Sequence, residues 1–317
     1  MASSVQMCNF TLTTLDCTIA RRMPAYKKQH YLPAAYLKYF SDDQAVCNRK
    51  SWIWHHDGKE PRRVPVESQC FGNYFYSKEN AAESEQGFQQ REVRYCKFVD
   101  ELRAGKEPSR ISHGDLFLNM ADLHLRNAIH KNLTEDEGLE AYNVRLVLFF
   151  GRLLLGEPEG ESSLDIERIK KHLFDYWRME IIPAPWAIEF VTSDNPSVFA
   201  TCKRPLHNGK PPLQLIFIPL DPHHVAVAFD RRYMSIQKQE ATLADVAAFN
   251  LIQTQAAENC VYKASPFSDS DELVLQNIFG KKTKAVCEVT DEGWRSYLIH
   301  LPEESRFSFM QITPPLM

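Results

Sequence analysis

The chain lacks the common signatures of nucleotide, metal and serine-hydrolase chemistry. Its 317 residues contain no G-x-G-x-x-G, G-x-x-x-x-G-K-[ST], G-x-S-x-G or H-E-x-x-H motif. Glycine is scarce, at 12 residues, and there is no internal repeat or low-complexity tract. The missing phosphate-binding loop argues against an enzyme that activates its own substrate with ATP.

The cysteines, the charge and the apolar runs exclude further classes. The eight cysteines are widely scattered and form no C-x-x-C pair, which favours free thiols in a reducing compartment over a zinc site or a disulfide scaffold. The net charge of -4 gives the chain no overall basic field for nucleic acid. The longest apolar run, LVLFFGRLLLG, is interrupted by Arg152 and is too short for a membrane span, and the N-terminus lacks the pattern of a secretory signal. We therefore expect a cytoplasmic protein with no metal site, no cofactor and no membrane contact.

Helix signals are present in both halves of the chain. Capping-box patterns, in which a Ser or Thr precedes an acidic residue by three positions, predict helix starts at Thr242/Asp245 and at Ser268/Asp271. A long helix is predicted for GFQQREVRYCKFVDELRAG, and another for residues 243–263.

Strand signals cluster after a helical middle. The runs WAIEFV, SVFAT, LQLIFIPL and HVAVAF all lie between residues 186 and 229. This order predicts an α+β fold, with a helical first half packed on a mixed or antiparallel sheet that the second half mainly forms. We expect a single compact domain, 1–317. The acidic segment GEPEGESS marks a subdivision of this domain into a mostly helical part, 1–155, and a sheet-centred part, 164–317.

The stretch IEFVTSDNPSVFA, residues 188–200, places turn-forming residues between two apolar runs. One interpretation is an Asx-turn at a hairpin corner. The other adds a site, because a glutamate within a strand is costly to bury without a partner. Glu189 would then face a cation or a polar pocket, with Asp194 at the mouth of the same strand.

Two other segments carry candidate residues. On the predicted helix DLFLNMADLHLRNAIHK, Asn119, Asp122, Arg126 and His130 share one polar stripe, which is either a solvated face or the lining of a cleft. The segment KKQHYLPAAYLKYF combines tyrosines with lysines, so its aromatic rings either pack into the core or stack on a nucleic acid.

Several segments, taken in order, resemble a large and mostly uncharacterised protein family. That family typically shows an H-Y-x-P-x-x-Y-L start, a T-S-D-N-P strand end, a P-L-x-P strand start and a late N-x-x-x-x-x-x-A helix. The matching segments here are QHYLPAAYLKYFS, NYFYS, LHLRNA, FVTSDNPSV, FIPLDPHHVAVAF and FNLIQTQAAENCVYKAS. Where the wider family often has a W-x-Y-D-like strand, this chain reads SWIWHHDG. A fungal branch of the family resembles the arginine-containing cyclodipeptide synthases.

The resemblance implies an enzyme that condenses arginyl-tRNA with a second aminoacyl-tRNA into a cyclic dipeptide. Such an enzyme needs a base for an α-ammonium, stabilisation of an oxyanion and a carboxylate for the guanidinium. Glu189 and Asp194 are the candidates for the carboxylate roles. Ser193 would be the nucleophile of any covalent intermediate, and His30 or Tyr36 would relay protons. The candidates for substrate binding are Asn119, Asp122, Arg126, Asn195 and Asn250.

Charged tRNA as a partner requires basic surface, and the chain offers several small basic clusters. They are Arg21-Arg22, Lys27-Lys28, Lys170-Lys171, Lys203-Arg204, Arg231-Arg232 and Lys281-Lys282-Lys284. Two other classes of function stay open. A metal-dependent nuclease of the defence or toxin type would place Glu189, Asp194, a lysine and His30 around a magnesium ion. A noncatalytic binding module would need none of this chemistry.

Overall fold

Among the described residues, most of the helical ones lie in the first half of the chain and most of the strand ones in the second, which confirms the predicted α+β class. The computed structural model describes residues 28–43, 50–73, 75–76, 81–107, 110–126, 138–155, 166–201, 213–281, 286–291, 294–301 and 307–312. The helices are α1 Ala34–Leu37, α2 Ala81–Arg103, α3 Arg110–Leu125, α4 Gly138–Leu155, α5 Ile166–Tyr176, α6 Leu243–Ala256 and α7 Asp269–Lys281. Over these described residues, none of the helices has the length and apolar character needed to cross a membrane.

The strands form one large sheet, one small sheet and two short two-stranded ribbons. They are β1 Lys28–His30, β2 Trp52–His56, β3 Arg62–Pro65, β4 Phe71–Asn73, β5 Trp177–Pro183, β6 Thr192–Ser193, β7 Val198–Thr201, β8 Leu215–Asp221, β9 His224–Asp230, β10 Met234–Ile236, β11 Val261–Lys263, β12 Val286–Asp291, β13 Trp294–His300 and β14 Met310–Ile312. The large sheet has the order β12-β13-β7-β8-β9-β5. Its β13–β7 pair is parallel and its other pairs are antiparallel, so the sheet is mixed.

The large sheet lies between two apolar layers, and β8 shows why its strands are buried throughout. Ile216 and Ile218 point to the core shared with α2, α3 and α4, whereas Leu215 and Phe217 point to the core shared with α6. Successive strand residues face opposite sides of a sheet, so a strand covered on both sides reads as a continuous apolar run. The run LQLIFIPL therefore predicts β8 well.

The small sheet joins the two halves of the chain. Its strand order is β3-β2-β11-β6, so two strands come from the first half and two from the second. Tyr262 of β11 pairs with His55 of β2 on one side and with Thr192 of β6 on the other. These three residues thus share one face of the sheet, at the T-S-D-N-P corner.

The strand predicted for WAIEFV is wrong. The strand β5 ends at Pro183, and residues 186–191 form a turn followed by a connection outside the strands. Pro183 and Pro185 have no backbone N–H to continue a ladder. Isolated backbone hydrogen bonds take the place of the ladder. For example, the Phe190 amide donates to the Pro222 carbonyl at 2.8 Å. Glu189 therefore does not lie on a strand face.

The helix predicted for 243–263 begins as expected but ends early. The capping box at its start is confirmed, since the Asp245 amide donates to Thr242 Oγ1 at 3.2 Å and the Thr242 amide donates to Asp245 Oδ2 at 2.7 Å. The helix ends at Ala256, and the chain then forms β11 between β2 and β6. Tertiary pairing of the segment CVYK overrides the local helical pattern here.

Candidate functional site

The T-S-D-N-P corner is buried, and its polar groups are largely satisfied by each other and by α6. The Ser193 hydroxyl donates to the Asn195 carbonyl at 2.9 Å and accepts from Gln253 Nε2 at 2.6 Å and from the Asn195 amide at 3.1 Å. A serine hydroxyl has one donor and two acceptor positions, so all of them are used. Asn195 Nδ2 donates to the Ala256 carbonyl at 3.1 Å. Ser193 and Asn195 thus anchor the corner to the end of α6.

Asp194 is the buried carboxyl of the corner, with an exposed fraction of 1%. It accepts from the Glu258 amide, the Asn259 amide and Asn259 Nδ2, each at 2.9 Å. Burial raises the pKa of Asp194 from its ordinary 3.8 to about 6, while the three N–H donors act in the opposite direction because they stabilise the ionised form. Asp194 is therefore a carboxyl that exchanges its proton close to neutral pH.

Two thiols and two phenols lie beside Asp194, and we call Tyr31, Cys70, Cys260 and Tyr262 the thiol–phenol cluster. Cys70 Sγ lies 3.0 Å from the Tyr262 hydroxyl, and the Cys260 thiol donates to the same hydroxyl at 3.2 Å. Burial, together with Cys70 and Asp194, raises the pKa of Tyr31 above its ordinary range. Tyr31 is half-buried, whereas the other three members are buried, so Tyr31 is the member nearest to solvent.

Tyr36 extends this polar face toward the large sheet. Its hydroxyl lies 2.7 Å from Thr192 Oγ1 and donates to the Pro219 carbonyl at 2.7 Å. Burial raises the pKa of Tyr36 above its ordinary range, so the phenol stays protonated near neutral pH. The structure therefore places the Tyr36 hydroxyl beside Thr192, which lies two residues before Asp194 in the chain. The hydrogen of that hydroxyl is donated to the backbone of β8.

Glu189 lies outside the corner, on the connection that leads into it. Its Oε2 accepts from the Ser265 hydroxyl at 2.7 Å and from the Ser265 amide at 3.2 Å. Asn250 of α6 fixes the backbone on both sides of this residue, because its Nδ2 donates to the Glu189 carbonyl at 2.8 Å and its Oδ1 accepts from the Val191 amide at 2.9 Å. Asn250 therefore takes the place of a neighbouring strand where the prolines have ended the ladder.

The polar stripe on α3 is not a solvated face. Asn119, Asp122 and Arg126 are 6%, 0% and 2% exposed. Asp122 and Arg126 form an ion pair, with Nη1 3.3 Å from Oδ2, and this pair is buried between α2, α3 and α4. The solvated-face interpretation is wrong because α2 and α4 cover this side of the helix, whereas the cleft interpretation stays a prediction; His130 lies outside the described residues.

Arg126 is the centre of a buried hydrogen-bond network. Its Nε donates to the Tyr76 hydroxyl at 2.8 Å, and its Nη2 donates to the His30 carbonyl at 3.1 Å and approaches Glu92 Oε1 at 3.5 Å. The guanidinium also lies 4.0 Å from the centre of the Phe88 ring. Asp122 in turn accepts from Arg91 and from the Tyr142 hydroxyl. This network holds the carbonyl of His30 in place, next to Tyr31 of the thiol–phenol cluster.

The side chain of His30 contacts the segment that leads into β4 and β4 itself. Its Nε2 is 3.2 Å from the Glu67 carbonyl, and its ring centroid is 5.8 Å from that of Phe71. The structure thus connects His30 to the Arg126 network through its carbonyl and to the segment before β4 through its ring.

Sequence reasoning missed the residues that contact Asp194 and Tyr262. Asn259, Cys70 and Cys260 are isolated in the sequence and belong to no motif with catalytic spacing. His55 belongs to none of the segments singled out in the sequence, yet its ring lies 5.5 Å from that of Tyr262. Its Nδ1 is buried without a hydrogen-bond partner in the described part of the chain, and burial lowers the pKa of His55 to about 4.

No group of three or more His, Cys, Asp or Glu side chains among the described residues is arranged to hold a metal ion. In the comparison with known families, residues 28–266 match the family described as protein of unknown function (DUF4238). This range includes every segment that carries the resemblance noted in the sequence. No curated protein and no solved structure matches the chain.

Proposed function

The chain belongs to the DUF4238 family, and we propose that it is a cyclodipeptide synthase that condenses arginyl-tRNA with a second aminoacyl-tRNA. The resemblance of its ordered motifs to the arginine-containing synthases supports this reaction. The observation that carries the proposal is Asp194, a buried carboxyl with a pKa of about 6 whose charge also acts on the phenol of Tyr31. A general base works best when its pKa lies near the working pH.

The chemistry needs a proton acceptor and a hydrogen-bond donor in one place. The α-amino group of one ester attacks the carbonyl carbon of the other, and the ester bond to the ribose oxygen breaks. A second attack by the free amine closes the ring and releases the second tRNA. In each step Asp194 accepts the proton of the attacking amine and returns it to the ribose oxygen. Tyr31 stays protonated near neutral pH and donates a hydrogen bond to the developing oxyanion.

The arginyl side chain requires a carboxylate, and Glu189 is suited to bind it. Both hydrogen bonds that its carboxylate makes within the described residues use Oε2, and none of them uses Oε1. Glu189 is half-buried, so a guanidinium can reach Oε1 while the Ser265 bonds hold the side chain in one orientation. Asn250 acts as a positioning residue in this arrangement, because it fixes the Glu189 backbone.

The remaining candidates have positioning roles in the proposal. Ser193 and Asn195 hold the corner that carries Asp194. Asn119, Asp122 and Arg126 order the α2–α3 interface and, through the His30 carbonyl, the segment that carries Tyr31. A nucleophilic role for Ser193 stays a prediction, and it would require the hydroxyl to leave its bonds within the corner.

The proposal also needs a surface for the tRNA backbone, and the C-terminal part of α5 offers one. Lys170, Lys171, Arg178 and Arg231 are exposed there, and the ring of Phe174 is 78% exposed. The Arg231 amide donates to the Tyr176 carbonyl at 2.8 Å, which places the turn after β9 against the end of this helix. Cationic side chains beside an exposed aromatic ring suit a phosphate backbone with an unstacked base.

The test is a mass-spectrometric assay with purified protein, tRNA, aminoacyl-tRNA synthetases and all the amino acids. We expect an arginine-containing cyclic dipeptide that is absent when arginine and ATP are supplied without tRNA. RNase should stop its formation, whereas EDTA added after charging should not. The matched variants are Asp194→Asn, which we expect to lose turnover, and Lys106→Ala on an exposed loop, which we expect to keep it.

Each alternative function gives a different result in the same assay. Product formed without tRNA would overturn the mechanism. Degraded tRNA that is protected by EDTA, with no dipeptide, would favour a metal-dependent nuclease. Intact tRNA with no dipeptide would favour a noncatalytic binding module.

A further inference from the structure

Two cysteines far apart in the sequence meet in the thiol–phenol cluster. Cys70 Sγ and Cys260 Sγ lie 3.0 Å and 3.2 Å from the same Tyr262 hydroxyl. Both thiols are free. A disulfide requires the sulfur atoms to approach to about 2.0 Å, so the two side chains must turn away from the Tyr262 hydroxyl and toward each other to form one.

The backbone at Cys70 is also unusual. Its φ is 50°, and it is the only non-glycine residue with positive φ in the described part of the chain. A glycine would adopt this conformation without strain, whereas a residue with a Cβ does so at a cost. In this conformation the Cys70 side chain contacts the Tyr262 hydroxyl. A backbone strained at a chemically reactive residue points to a role for its side chain.

Each cysteine is fixed to one of the two segments that build the site. The carbonyl of Cys70 accepts from the Tyr31 amide at 3.0 Å, and the carbonyl of Cys260 accepts from the Asp194 amide at 3.2 Å. A covalent bond between the sulfurs would therefore join the segment that carries Tyr31 to the corner that carries Asp194.

We propose that Cys70 and Cys260 are an oxidisable dithiol, and that a peroxide converts them into a disulfide across this site. One thiolate attacks hydrogen peroxide to give a sulfenic acid and hydroxide, and the second thiol displaces the sulfenic oxygen as water. Two thiols and one peroxide thus give one disulfide and two waters. Both sulfurs are nearly buried, at 7% and 6% exposure, so the local site must open slightly for the small oxidant to enter.

The disulfide changes both the stability and the chemistry of the site. It closes a long loop, so it restricts the unfolded chain strongly and stabilises the fold. It also removes the thiol hydrogen that Cys260 donates to Tyr262. The loss of turnover that we expect from this change rests on the proposed function, whereas formation of the bond does not.

The test is peroxide treatment of the reduced full-length protein, followed by alkylation, digestion and mass spectrometry without reductant. We expect a peptide pair linked through Cys70 and Cys260 that dithiothreitol separates, and a melting temperature higher by at least about 5 °C. Cys96→Ser is the matched control, since Cys96 Sγ lies 3.6 Å from the Ala35 carbonyl, in another part of the fold. This variant should still form the pair, and Cys260→Ser should not.

The wild-type peptide map decides the question even if Cys260→Ser fails to fold. Recovery of both residues as alkylated thiols after peroxide, or as separate sulfinic acids, would overturn the proposal, and so would linkage to other cysteines. None of these measurements uses tRNA. A failure of the proposed synthase activity would therefore leave the linked peptides in place, and a failure of the disulfide would leave the cyclic dipeptide.

Discussion

The pKa of Asp194 predicts opposite effects of pH on stability and on turnover. The pKa is about 6 in the folded protein and 3.8 in its ordinary state. Between these values the folded protein holds a proton that the unfolded chain has released, so the free energy of unfolding falls as the pH rises. Above about pH 6 the carboxyl is ionised in both states. Each tenfold change in the proton-binding constant corresponds to about 1.4 kcal/mol. A pKa difference of about 2 therefore lowers the free energy of unfolding by about 3 kcal/mol relative to its value at low pH.

The matched variant is Asp194→Asn, which does not titrate. Urea unfolding of both proteins at several pH values from 4 to 7.5 gives the difference between their unfolding free energies, in which other titrating groups cancel. We expect this difference, wild type minus variant, to fall by about 2 kcal/mol between pH 4 and pH 7.5, because most of the window from 3.8 to about 6 lies in that range. Turnover of the wild type should instead fall below about pH 6, where the base is protonated. A difference that stays constant or grows with pH would refute the reasoning, because the three N–H donors would then dominate over burial.

Three further predictions concern side chains with different environments. Glu189→Gln should keep the melting temperature and lose about 30-fold or more in turnover with arginyl-tRNA, because one side of a charge pair typically contributes about 2–5 kcal/mol; full activity in the folded variant would exclude Glu189 from arginine binding. Arg126→Ala should lower the free energy of unfolding by about 3–5 kcal/mol in a denaturant titration, because it removes one cationic partner of the buried Asp122 carboxylate. The control is Lys170→Ala, which removes an exposed ion pair and should change the free energy of unfolding by less than about 1 kcal/mol. Lys171→Glu should raise the KM for charged tRNA and weaken its salt dependence, and an unchanged salt dependence would place the tRNA elsewhere.

The fold class and several elements could be predicted because local signals agree with tertiary structure there. The Thr242/Asp245 capping box begins α6, and the continuous apolar run of β8 reflects a strand covered on both sides. The WAIEFV segment could not be predicted in the same way. Its apolar residues fit a strand, but Pro183 and Pro185 end the hydrogen-bond ladder. The side chain of Asn250, 59 residues after Val191, accepts the hydrogen bond that a neighbouring strand would otherwise accept.

The candidate site was only partly visible in the sequence for a related reason. Asp194 stands out because turn-forming residues surround it, and turns near strand ends commonly carry functional groups. The groups that set its chemistry come from distant segments, and nothing in the spacing of Cys70, Tyr262 and Asn259 shows that they meet. The stripe on α3 had the correct helical period, but periodicity shows which residues share a face and not what covers that face.

The parallel pairing of β13 with β7 has a consequence for the order of folding during synthesis. Leu298, Ile299 and His300 pair with Phe199, Ala200 and Thr201, so the strand beside β7 leaves the ribosome about 100 residues later. Until then β7 has hydrogen-bonding groups unpaired along one edge, although β8 can already occupy the other. Bare, apolar strand edges are templates for association between chains. The nascent protein is thus most exposed to aggregation after β9 has formed and before the last hairpin closes the sheet.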